Sequence, residues 1–160
     1  MNADQKNILK TWIAAGLWLV VIAIESSSIG ASTNTSRILY PLFRYLFGMD
    51  LFHFEHIHVF IRKGGHVFGY GLLSILFFRA WRATLPVANR VGWVLRWALI
   101  AVLGTAIVAS LDEWHQSFNP LRTGTPWDVL LDTSAAVVAQ ILIFLWIKWF
   151  TSRRLQSQQA

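Results

Sequence analysis

The sequence predicts an all-α membrane protein: four transmembrane helices, with a short interfacial helical segment between the first and second. Three observations carry that prediction. Hydrophobic residues fill 55% of the 160 positions and mean hydropathy is +0.47, too apolar for an ordinary soluble domain of this size. Four apolar runs are long enough to cross a hydrocarbon core of roughly 30 Å at about 1.5 Å per residue. The basic residues sit mostly at the ends of those runs, so the net charge of +6 suits membrane flanks and does not point to nucleic acid. With no cysteine, a disulfide framework, a thiolate metal site and a cysteine nucleophile are excluded.

The first span is 11–29, preceded by Lys6 and Lys10. A cleavable leader shares some of its features, including Ser26 to Ser28 and a possible cut after Ala31. Glu25 fits a leader's apolar core poorly, however, and three further apolar runs follow. Residues 32–62 form the longest connection. Its stretches 38–47 and 51–61 are rich in Leu, Ile, Phe and Tyr but too short to span, and Pro41 and Gly48 interrupt them. They predict one or two short helices lying in the interface. His53, His56 and His58 fall here and read as interfacial or solvated imidazoles, since their spacing matches no strong metal-ligand pattern.

The second span, 64–81, is flanked by Arg62 and Lys63 before it and by Arg79 and Arg82. A short connection containing Pro86 leads to the third span, 92–111. A tight one with Pro120 and Gly124 leads to the fourth, 127–150. Residues 1–155 make a single domain and 156–160 a polar tail. Nine Lys and Arg lie on the side of the two termini, from Lys6 to Arg154, against five on the other side: Arg37, Arg44, Arg62, Lys63 and Arg122. The imbalance predicts that both termini are cytoplasmic.

Under that topology the outer ends of all four spans carry the unusual residues. Glu25 and Ser28 close the first. Lys63, His66 and Tyr70 open the second at helical offsets of three and four. The third ends in Asp112, Glu113, His115 and Gln116, with Asp112, His115 and Gln116 sharing a face and Glu113 about 100° away. Asp128 and Asp132 open the fourth on one face, and Arg122 lies in the connection before it. Ionisable groups one or two turns below the headgroups read as a functional site. Five carboxylates there meet three permanent cations, so some carboxylates hold protons, His66 and His115 are cationic, or a metal binds. Interhelical pairing that merely fixes the bundle is the simpler reading for Arg122 with Asp128, and buried pairing or capping competes with function at Asp132.

Arg-Lys-Gly-Gly-His-x-x-x-Tyr (62–70), Asp-Glu-Trp-His-Gln-Ser-Phe (112–118), Arg122 and Thr-Pro-Trp-Asp-Val (125–129) together resemble the VanZ-like family of small bacterial membrane proteins. Glu-Ser-Ser-Ser after the first span also fits. The chain departs from the family pattern at Asp132, where Asn is expected, and at Thr133-Ser134-Ala135 in place of Thr and Gly. The resemblance implies an association with resistance to glycopeptide antibiotics, teicoplanin above all.

Two functions fit the site. In the first, an enzyme processes a lipid-linked envelope molecule or a lipoglycopeptide at the outer membrane face. His66, Asp112, Glu113 and His115 then form the catalytic group, with His115 or His66 as base. Lys63, Tyr70, Gln116, Arg122, Asp128, Glu25 and Ser28 bind the substrate, and Lys63 and Arg122 hold an anionic headgroup. A divalent metal on Glu113, His115 and Asp128 is a variant of this reading. In the second, the same pocket captures the headgroup or the antibiotic without chemistry and alters its accumulation at the surface. Ion conduction is disfavoured, because the ionisable residues gather on one side of the membrane.

Overall fold

A computed structural model describes residues 1–85, 93–120 and 122–157, with side chains up to residue 152. Among these residues the chain forms five α-helices: α1 (Ala3–Ser26), α2 (Ser32–Phe47), α3 (Leu51–Thr84), α4 (Leu95–Ser117) and α5 (Pro126–Ser157). A 3-10 turn, Ser28–Gly30, joins α1 to α2. The connection through Pro86 and Arg90, the expected start of the third span at Gly92 and the last residues of the polar tail lie outside the described residues.

Among the described residues, three helices are long and apolar enough to cross a membrane: Ala3–Ser26, Leu95–Ser117 and Pro126–Ser152. α3 has the length, with 34 residues, but Gly64, Gly65, Gly69 and Gly71 together with His66, Tyr70 and Arg79 dilute its apolar stretch. It is nonetheless the centre of the bundle, packing against α1, α4 and α5.

The interfacial segment differs from the sequence expectation. Its second half does not form a separate short helix: residues 51–61 run without interruption into the expected second span as one helix about 50 Å long. Asp50 caps the start of α3, accepting the His53 N–H at 2.9 Å. Pro41 lies inside α2 and does not end it. The break falls at Gly48, whose φ of 64° closes α2 with a left-handed cap. From there α3 returns beside α2 as an antiparallel hairpin. Phe54 packs between Tyr40 and Phe43 at 5.2 and 5.7 Å, and Thr35 Oγ1 meets His58 Nε2 at 2.9 Å.

Small residues draw the other helices together. Ala98, Ala101, Thr105 and Ala109 line the buried face of α4, and Ala135, Ala136 and Ala139 that of α5. Gly104 leaves room for the Phe77 ring, which a Cβ there would approach to 3.3 Å. Midway along the bundle, Gln140 Nε2 donates to the Ser74 carbonyl at 3.0 Å and to Ser74 Oγ at 2.8 Å. At the end opposite the acidic cluster, Trp12 Nε1 donates to Thr84 Oγ1 and Trp97 Nε1 to the Leu85 carbonyl.

His58 is 5% exposed, unlike the exposed His53 and His56. Burial, reinforced by Arg62, holds its imidazole below the ordinary histidine range. The unfolded chain therefore binds the proton more readily, and the hairpin's stability is full above the unfolded pKa and falls as pH drops through it. Relative to the intrinsic base-catalysed rate at each pH, amide protection in 51–61 should fall between pH 7.5 and 5, and His58→Gln should flatten that dependence.

Candidate functional site

The site is built where α4 ends, α5 begins and α3 passes between them. The Tyr70 hydroxyl donates to Asp112 Oδ2 at 2.6 Å. Gln116 Nε2 donates to the same oxygen at 3.1 Å and to Ser26 Oγ at 3.4 Å. This run of bonds ties α3 and α1 to the last turns of α4.

A second group lies beside it. His66 Nδ1 meets Asp132 Oδ2 at 3.3 Å, and the imidazole stacks on Tyr70 with ring centroids 6.1 Å apart. The offset of four residues puts both rings on one face of α3. Glu113 Oε2 accepts the Thr125 N–H at 2.8 Å. The other carboxylate oxygens, Glu113 Oε1 and Asp132 Oδ1, are buried without a hydrogen-bond partner among the described residues. His66, Glu113 and Asp132 each offer one ligand atom, and the three atoms lie within 4.8 Å of one another.

Asp132 is fully buried and stands closer to the chemistry than the sequence reading put it. The signal was its offset of four from Asp128, which aims both carboxylates at α3. His115 has the opposite fate. It is exposed, because two residues along a helix is about 200° and Glu113 faces inward. The buried face of α4 passes through Ala109, Glu113 and Gln116, and His115 lies outside the cluster.

The cations are also redistributed. Arg122 does not pair with Asp128. Its guanidinium closes the C-terminal end of α1: Nη1 donates to the Gly30 carbonyl at 2.8 Å, Nε to the Ser26 carbonyl at 3.3 Å, and Nη2 to the Glu25 carbonyl. A cation suits the negative end of a helix dipole, and the planar fork reaches several carbonyls at once. Burial, with Arg62 acting in the same sense, draws its pKa below the ordinary value. Asp128 pairs instead with Lys63 Nζ at 2.8 Å and accepts from Thr125 Oγ1 at 3.1 Å. Among the described residues Arg62, half-buried, has no carboxylate within ion-pair distance. Ser28 Oγ accepts from Asn119 Nδ2 at 3.2 Å, and the Glu25 side chain is exposed.

Above these groups lies a cavity of about 370 Å³ between α1, α2 and α3. Trp18, Val21, Ile22, Leu39, Ile61 and Phe68 give it apolar walls. Glu25, Arg62, His66, Tyr70, Asp112 and Arg122 add polar groups to its lining, as do His58 and Thr35. Gly65 and Gly69 leave open space where a side chain would stand.

With that geometry in place, comparison with known sequences is decisive: the model of the VanZ/LLP1 family matches residues 11–148. The chain belongs to the VanZ/LLP1 family. It is thus a VanZ-like membrane protein, of a family associated with glycopeptide resistance. No curated protein and no solved structure matches it.

Substitutions at two positions test how this VanZ-like site is held. Arg122→Ala should cost roughly 2–3 kcal/mol in unfolding, the scale of hydrogen bonds from a charged donor. Arg122→Lys should recover little of it, because one ammonium cannot span the three carbonyls. At Gly124 a Cβ would overlap the Glu113 carbonyl oxygen and crowd the Ser117 nitrogen. Gly124→Ala should therefore destabilise by about 1–3 kcal/mol. Denaturation in nanodiscs, followed by tryptophan fluorescence, measures both.

Proposed function

We propose that this protein processes a lipid-linked envelope molecule or a lipoglycopeptide at the outer face of a bacterial inner membrane, within the cavity beside His66. In this reading α3 supplies the fourth span over 64–81, both termini are cytoplasmic, and the polar end of the bundle faces outward. The cavity carries the proposal. An amphiphile needs apolar surface for its chain and fixed charge for its headgroup, and both kinds of wall line one space. Arg62 takes the role first given to Lys63 and Arg122 and holds the anionic headgroup, since those two are engaged elsewhere. The His66–Glu113–Asp132 cluster is the reactive centre, and the Tyr70–Asp112 pair fixes the imidazole beside it.

One observation favours a second reading. Arg62 borders the cavity with no carboxylate at ion-pair distance among the described residues, which suits capture of an anion without turnover. Glycopeptide resistance is compatible with either, through modification or through altered accumulation at the surface.

Mass spectrometry of the full chain in native-lipid nanodiscs separates them. An enzyme yields a co-purifying amphiphile altered in wild type and unaltered in His66→Asn, with turnover reduced about a hundredfold or more. Arg62→Ala should weaken retention about tenfold, the loss of one charge-assisted contact. Gly69→Leu should fill the cavity and abolish retention without loss of fold. The same unaltered amphiphile on wild type and His66→Asn would establish the binder. If neither retains an amphiphile, both readings fall.

A further inference from the structure

We propose that His66, Glu113 and Asp132 hold a first-row divalent metal ion, Zn2+ or Mn2+, beside the cavity that His66 lines. The inference deepens the reading above for the same site and rests on it only for what the ion would act upon.

The argument begins with two carboxylate oxygens. Glu113 is 5% exposed and Asp132 fully buried, and each keeps one oxygen with no hydrogen-bond partner among the described residues. Buried acceptors are almost always satisfied, and an orphan on a carboxylate is the costliest kind. Two such orphans in one cluster ask for a common partner. A single proton would satisfy one of them, whereas a divalent ion satisfies both and balances both negative charges.

The third ligand fits the same demand. His66 Nδ1 stands 3.3 Å from Asp132 Oδ2, the other oxygen of the carboxylate whose Oδ1 is orphaned, close to the edge of about 3.4 Å expected between two donors bound tetrahedrally at 2.0–2.1 Å. All three ligand atoms fall within 4.8 Å, so modest side-chain rotation brings them onto one ion. Around them lies a supporting shell. The Thr125 N–H fixes Glu113 at 2.8 Å, and the Tyr70 ring stacks on the imidazole. Such outer partners orient ligands in metal sites.

Ligand chemistry selects the ion. One imidazole with two carboxylates suits Zn2+ or Mn2+, while Ca2+ takes six or more oxygens and Mg2+ keeps most of its water. Three protein ligands leave a coordination position open, as catalytic zinc sites do, and His66 borders the cavity. This set replaces the one expected from sequence, Glu113 with His115 and Asp128. His115 is exposed, and Lys63 already holds Asp128.

The test uses the full chain in nanodiscs, purified without a metal-affinity step. Elemental analysis after dialysis should find about one equivalent of zinc or manganese per chain. Titration of stripped wild type with Zn2+ or Mn2+ alone should saturate at the same stoichiometry. Glu113→Gln, Asp132→Asn and His66→Gln should each weaken binding at least tenfold, and His115→Gln should leave it unchanged. No saturable binding by wild type, or equal binding by wild type and all three ligand variants, would overturn the proposal. Because the wild-type titration needs neither a variant nor an amphiphile, the two readings fail separately. An altered amphiphile on metal-free protein sinks the metal alone, and stoichiometric metal without any retained amphiphile sinks the substrate reading alone.

Discussion

Asp112 sits where three helices meet, and one of its oxygens accepts from Tyr70 on α3 and from Gln116 on α4. Gln116 in turn reaches Ser26 on α1. A polar group inside a bundle surrounded by lipid has no water to fall back on, so its partners must come from neighbouring helices. That constraint organises this end of the protein. Each polar side chain turned inward from α4 fixes another element: Asp112 fixes α3, Gln116 fixes α1, and Glu113 fixes the connection before α5 through Thr125. The small residues further along α4 and α5 then bring the backbones close enough for these short bonds to form.

The same constraint divides the cations by geometry. Lys63, exposed, is a point charge and pairs with one carboxylate. Arg122, half-buried, has a fork that meets three carbonyls at a helix end. Arg62, adjacent to Lys63 in sequence, points about 100° away from it around α3, toward the cavity. Charge counting treats these three as equivalent; their helical phase and reach give each a different task.

Much of this was legible in the sequence, and the remainder was hidden for identifiable reasons. Composition gave the all-α class and the apolar character of α1, α4 and α5. Offsets of four gave the faces shared by His66 with Tyr70 and by Asp128 with Asp132. The inward direction of α4 was harder to read, because its apolar residues run all the way round and leave no stripe to mark the buried side. Glu113 and His115 were therefore weighted alike, although they lie nearly opposite. The role of Arg122 depends on backbone carbonyls, which carry no residue-type signature. The continuity of α3 was masked by two charged residues and two glycines in succession at 62–65, a pattern that reads as a break. The helix nonetheless runs on through 62–65, against its local propensity.

Those glycines have a mechanical consequence. Gly64, Gly65, Gly69 and Gly71 fall at the level of His66, on the one helix that runs from the hairpin to the far end of the bundle. Each weakens helix formation by about 1 kcal/mol relative to alanine, and Trp18 engages the Gly69 carbonyl from outside the helix at 2.8 Å. The stretch that must lack side chains to leave the cavity empty is therefore also the most compliant stretch of α3. Strain applied at the α2–α3 hairpin would concentrate there, so the element carrying the imidazole is the one with the lowest bending stiffness.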